Sequence, residues 1–196
     1  MSTLKVDTIL KRTGTGTITV GQSGDTVALP AATLTTPLPA ASGGTGSTTA
    51  PANTPAFNVK LSSNQDVSDA VSTVVAFNSE QLDTDNAFDT STYRFTPQTA
   101  GKYFITFTAY CLAANAGNGN LRSITAHIRK NGSNQTEVVH DYNDSFIRQG
   151  CVTTTGIIDM NGSTDYIDFE GDVNTGSGDG RFQNNTRANG FLLVGA

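Results

Sequence analysis

The sequence predicts an all-β protein, with an antiparallel sandwich over residues 56–196 preceded by a short β-hairpin and an extended linker. Three observations carry this. Apolar and polar residues alternate in short runs, the runs are separated by loops rich in Gly, Asn, Asp and Ser, and no segment reads convincingly as a helix. Charged residues make up only 15% of the 196, against roughly 25% in average domains, so this is not a Lys- and Glu-rich helical chain.

Residues 1–29 alternate weakly. Gly14–Val20 and Asp25–Leu29 flank Gln22-Ser23-Gly24 and read as a small hairpin, which is marginal alone and gains stability by pairing with sister chains or another protein. Residues 30–55 follow as a linker. No charged side chain occurs from Thr26 to Val59, and Pro30, Pro37, Pro39, Pro51 and Pro55 supply five of the six prolines. Proline removes backbone donors and restricts its predecessor, and the run Ser42-Gly43-Gly44-Thr45-Gly46 has little side chain to pack.

Nine strands are expected after the linker: Phe57–Leu61, Val71–Asn78, Thr92–Thr96, Lys102–Leu112, Leu121–Lys130, Glu137–Tyr142, Cys151–Met160, Tyr166–Val173 and Asn189–Val194. Tyr103, Ile105, Phe107, Ala109 and Cys111 alternate with Phe104, Thr106, Thr108 and Tyr110. Ile124, Ala126 and Ile128 alternate with Ser123, Thr125 and His127, and Ile167, Phe169 and Val173 with Asp168, Glu170 and Asp172. One face is apolar and the other wet, as in an antiparallel sheet with one solvated side, so the arrangement expected is a sandwich or jelly roll.

The formal charge of −5 and a pI near 4.8 argue against a protein that holds nucleic acid through a basic face, and no nucleic-acid partner is expected. The acidity belongs to the C-terminal part: before residue 56 the chain has 3 basic and 2 acidic residues, after it 9 and 15. No run approaches the roughly 18 apolar residues of a membrane span, so no membrane insertion is expected. Met1–Arg12 carries Lys5, Asp7, Lys11 and Arg12 without the apolar run of a secretory signal. Two cysteines make no disulfide framework, and Cys111 shares the inward register of its strand, as a buried free thiol would.

Spacing is more specific than composition. Phe77, Asp83, Phe88, Phe95, Gly101, Tyr103 and Phe107 follow one another as in the aromatic signature of the complement C1q globular head. The chain resembles that family, a relative of the tumour necrosis factor jelly roll, over residues 56–196. It departs at Ile105, where the family has Phe. Ile128-Arg129-Lys130-Asn131-Gly132 is similar to the family's Lys-Asn-Gly turn, and Gly190-Phe191-Leu192-Leu193 to its last strand. Phe77, Phe88, Phe95, Tyr103 and Phe107 are then core residues, with Gly101 allowing a tight turn before an aromatic strand. The resemblance implies a homotrimer. Phe191–Val194 would give it apolar groups on both faces of the terminal strand.

A second resemblance lies in the linker. Leu38-Pro39-Ala40-Ala41-Ser42-Gly43-Gly44-Thr45-Gly46-Ser47-Thr48-Thr49 resembles a segment common in bacteriophage tail fibres, and Ser2–Ile9 is similar to the start of short phage structural proteins. A virion protein is therefore expected, made in the bacterial host cytoplasm and placed in a tail fibre or on the capsid surface. Residues 1–29 would attach it to other virion proteins, and its trimeric head would bind a host cell-surface glycan or protein. The alternatives are a capsid decoration protein or head fibre, and a secreted complement-like adhesion module, although the Gly-X-Y period of a collagen stalk is absent.

No enzymatic chemistry is expected. Gly14-Thr15-Gly16 lacks the third glycine of a dinucleotide fingerprint, no phosphate-loop Lys follows a Gly-rich turn, and His127 and His140 have no Ser or Cys elbow beside them. No cofactor is required. Ca²⁺ is the one the residues could hold, since Asp83 and Asp85, or Asp141 and Asp144, offer hard oxygens at close spacing; the plainer alternative is a set of solvated loops. Asp168, Glu170 and Asp172 read as a solvated strand face. Binding is expected on the loops 113–120, 142–149 and 175–185, with Tyr142, Phe146 and Arg181 as contact residues, because Tyr and Arg carry much interface energy; Phe146 fits a core position equally well.

Overall fold

A computed structural model describes residues 53–114, 120–142, 147–176 and 178–194. The expected hairpin at 1–29, most of the linker at 30–55, and the loop residues Asp144 and Phe146 lie outside these. Thirteen strands are described: β1 (Ala56–Lys60), β2 (Gln65–Val67), β3 (Thr73–Val74), β4 (Ser79–Asp83), β5 (Phe88–Asp89), β6 (Arg94–Phe95), β7 (Gly101–Ala113), β8 (Leu121–Lys130), β9 (Ser133–Asp141), β10 (Gln149–Met160), β11 (Ile167–Thr175), β12 (Gly180–Phe182) and β13 (Arg187–Leu192).

They form two antiparallel sheets. The first runs β2-β12-β7-β13-β1-β4, with β10 also on β7, and the second runs β5-β6-β11-β8-β9, with β3 also on β11. β7 is the long central strand of the first sheet. Its residues 101–112 pair with β10, while its other edge is shared by β13, opposite 103–108, and β12, opposite 111–113. The all-β jelly-roll sandwich expected from the alternation is the fold found.

The core lies between the sheets. Phe57, Phe77, Phe95, Tyr103, Phe107, Phe169 and Phe182 are fully buried. Phe169 of the second sheet is the hub, with ring centroids 5.3 Å from Phe107, 5.6 Å from Phe77 and 6.2 Å from Phe57. Edge-on and tilted geometries of this kind add to the apolar area removed from water. Phe88 is buried too, and Ile105 keeps the inward register with no exposed surface. Tyr103 satisfies its hydroxyl by donating to the Thr99 carbonyl at 2.8 Å, and burial, with a smaller contribution from Asp85, pushes its pKa up to about 12. Cys111 is a buried free thiol whose pKa burial raises.

Two local sequences set the frame. Asn131 and Gly132, at φ 52° and 77°, make the two-residue turn between Lys130 and Ser133 and so join β8 to β9; positive φ at both positions is what Asn-Gly supplies. Gly101 lets Leu192 close over the start of β7, since a Cβ there would sit 2.7 Å from Leu192 Cδ1.

The strand expected over 71–78 shrinks to Thr73–Val74. Gln65 explains the break: its side-chain amide donates to the Val74 carbonyl and accepts from the Ala76 amide, both at 2.9 Å, so these backbone groups need no strand partner. Phe191 is not a core residue. Inward register in β13 belongs to Ala188 and Gly190, which places Phe191 on the outer face of the first sheet, half-buried.

The acidic row of β11 is another correction. Asp168 is 4% exposed and takes two hydrogen bonds from Arg129, at 2.7 and 3.0 Å, while Glu170 accepts from the same guanidinium. Burial disfavours the Arg129 charge, but the Asp168 and Glu170 carboxylates outweigh it and raise the pKa. Asp172 differs: burial, then Asp69, raises its pKa.

Acid should unfold the protein with a definite sign. Hydrogen bonds from Ser91 and Thr92 lower Asp89 from 3.8 to about 2. Arg181 lowers Asp66, and Lys130 with Asn131 lowers Asp165. Groups depressed in the folded state bind fewer protons there than when unfolded, so their stabilisation is complete above pH 4 and is lost as pH falls toward about 2. Raised Asp172 has the opposite sign. Thermal melts from pH 5 to pH 2 are expected to show a falling Tm concentrated in that window.

Candidate functional site

The outward residues of the first sheet form ordered rows. In β7 the odd positions point into the core and the even positions out. Antiparallel register then aligns Ile157, Phe104, Phe191 and Ala56 across β10, β7, β13 and β1. Ile157 is 63% exposed, and the Phe104 and Phe191 rings lie 5.7 Å apart. The next row, Thr155, Thr106, Asn189 and Asn58, is polar. Beyond it come Thr153, Thr108, Arg187 and Lys60, with the Thr108 and Thr153 hydroxyls 2.9 Å apart. Thus the face passes from apolar to polar to cationic along the strand axis. An outward apolar row on a polar background, exposed at Ile157 and half-buried at Phe104 and Phe191, is the usual mark of an interaction surface.

At the cationic end is a cavity of about 360 Å³ lined by Asn58, Lys60, Gln81, Asn184, Asn185 and Arg187. β1 and β13 place Lys60 directly opposite Arg187. An irregularity in the β1–β4 pairing, between Asn58 and Val59, leaves Gln81 out of the ladder. The connection from β12 to β13 is pinned by buried Thr186, whose hydroxyl accepts from the Tyr110 amide at 3.0 Å and donates to the Tyr110 carbonyl at 3.2 Å. Asn184 is held by its backbone amide, 2.9 Å from Asn64 Oδ1.

The residues expected to bind are distributed differently. Arg181 faces Asp66 across β12 and β2 and grips its carboxylate with two nitrogens, Nη2 at 3.0 Å. That guanidinium is a clamp between strands, and engaging a partner would require breaking it. Tyr142 is half-buried against the core, its hydroxyl 3.2 Å from His140 Nδ1, and burial raises its pKa. Asp83 accepts from the Ala87 and Phe88 amides at 3.0 and 2.9 Å, closing the turn into β5. Of the alternative Ca²⁺ groups, Asp83 ends β4 in the first sheet and Asp141 ends β9 in the second, while Asp144 lies outside the described residues. No cluster of three metal-ligating His, Cys, Asp or Glu side chains occurs among the described residues. His127 is buried, not surface-lying, under Asn134 at 3.1 Å and Glu137 at 3.6 Å.

Sequence reasoning missed Phe104, Ile157, Lys60 and Arg187. Alternation did carry a signal at Phe104, an aromatic on the nominally wet face of its strand. The Lys60–Arg187 pairing depends on register between distant strands and has no local signature.

Among solved structures, the chain is similar to the murine protein APRIL at pH 5.0 (TM-score 0.52, 9% identity, 70% of this chain and 98% of that one). It is similar to Eiger TNF from S. frugiperda (0.52, 11%, 72% and 93%), and to the globular domain of zebrafish complement 1qA protein (0.49, 18%, 71% and 96%). At these identities the likeness concerns the fold alone. No curated protein matches in sequence. The C1q domain family model, however, matches residues 56–193, which takes in both sheets and every aromatic of the core, and the chain belongs to the C1q domain family.

Proposed function

We propose that the protein is a non-enzymatic homotrimeric binding head, carried on a bacteriophage particle as a short tail fibre and directed at the host cell surface. The observation that carries the trimer is the outward row Ile157, Phe104 and Phe191, exposed at Ile157 and half-buried at the two rings, an apolar stripe that a monomer leaves partly in water and that neighbouring copies would cover. Particle attachment is supported by the fibre-like segment Ser42-Gly43-Gly44-Thr45-Gly46 and by the opening Ser2–Ile9. Three identical heads turn a weak single-site interaction into avidity, by 10²-fold or more where geometry permits simultaneous engagement.

The solution mass is expected near three times the 20.5 kDa chain, and Ile157→Asp is expected to bring it to that of one chain without loss of β structure. A wild-type monomer, or a trimer indifferent to Ile157→Asp, would contradict the assembly. Antibody labelling of particles checks the location: label confined to the tail supports host recognition, whereas uniform label over the capsid would replace it with a decoration role.

A further inference from the structure

The cavity beside β1 and β13 has the chemistry of an anion site. Lys60 and Arg187 stand directly across from one another, and like charges in that position repel. A fold usually relieves such a pair with a carboxylate; here, among the described residues, neither cation has an ion-pair partner, although the chain as a whole carries −5. Among the described residues the Arg187 guanidinium meets the Tyr110 ring, at 6.0 Å from its centroid. The other four lining side chains, Asn58, Gln81, Asn184 and Asn185, are all carboxamides, each able to donate and accept at once, as vicinal hydroxyls require. Among the described residues, no aromatic on which a neutral sugar could stack lines the site. Its wall is preformed, because Thr186 and Asn64 fix the β12–β13 connection, and about 360 Å³ falls at the small end of the range of roughly 300–1,000 Å³ for ligand sites.

We infer that this cavity binds a single acidic sugar unit, its carboxylate or sulfate held between Lys60 and Arg187 and its hydroxyls by the four carboxamides. This gives the binding head proposed above a site and a ligand class, and it rests on that reading for its biological role, while its geometry belongs to one chain. The Lys60–Arg187 row lies two rows from Ile157, Phe104 and Phe191 along the same face, outside the apolar row through which copies would meet.

Titration of the full chain with glucuronic acid, glucose 6-sulfate and glucose, followed by calorimetry and by amide shifts in the NMR spectrum, tests this. One or both acidic sugars should bind at about millimolar Kd, with shifts centred on Lys60, Arg187 and Asn184, and glucose about tenfold or more weaker. Lys60→Gln and Arg187→Gln should each weaken the acidic sugar by about tenfold, the loss expected for a hydrogen bond to a charged group, and both side chains are exposed, so folding should be unaffected. Equal affinity for glucose, affinity for inorganic sulfate alone matching that for the sugars, or shifts elsewhere would overturn the site. So would a variant that changes the solution mass, since the pair would then serve a subunit contact. A wild-type monomer that binds glucuronic acid would defeat the trimer and leave the site standing; a trimer that binds no acidic sugar would do the reverse.

Discussion

Phe169→Ala is expected to lower the stability of the head by about 3–5 kcal/mol, the cost of an aromatic lost from a close-packed core that only partly collapses around the gap. Phe169 has no exposed surface and is the ring on which Phe57 and Phe107 of the first sheet and Phe77 of the β3–β4 connection converge. Its removal would loosen the contact between the layers, not one strand. Urea denaturation at fixed protein concentration checks this, since assembly makes apparent stability depend on concentration. A loss below about 1 kcal/mol, the ordinary effect of a point mutation, would mean that the sheets are held together elsewhere.

Arg129→Ala is expected to cost as much for an electrostatic reason. It strands Asp168 at 4% exposure and leaves Glu170 beside it without the cation, and breaking a buried pair on one side typically costs about 3–5 kcal/mol. Arg129→Lys should recover only part, because one ammonium cannot reproduce the fork that meets both oxygens of Asp168. Replacing all three residues by apolar side chains of similar volume should restore or exceed the wild-type Tm. If Arg129→Ala alone leaves the Tm unchanged, the two carboxylates reach water more easily than their burial indicates.

These two residues show where the sequence was legible and where it was not. Phe169 stands in a clean alternation with Asp168 and Glu170, so its inward position could be read directly, as could those of Tyr103, Phe107 and Ile128. The same alternation misled about Asp168. Two-residue periodicity separates two faces of a strand but does not say what covers the outer one, and the cover is Arg129, brought opposite by β8–β11 register. Phe104 escaped for a related reason: an apolar residue on the second face has no partner within its own strand. The strands at 65–67 and 180–182 are too short for any period to be visible. Arg181 is expected from the sequence as a contact residue, and its partner Asp66 lies across a ladder that neither short strand announces.

The position of β1 has a mechanical meaning. It lies between β13 and β4, antiparallel to both, and it begins at Ala56 beside Phe191, near the end of β13. The chain therefore enters β1 at Ala56, while the Lys60–Arg187 cavity sits at the strand's other end. A load applied between an anchored N-terminus and a captured surface would pull β1 along its own axis. Hydrogen bonds on both its edges would then resist together in shear instead of opening one at a time, an arrangement suited to a part that must hold while the body it belongs to is tugged.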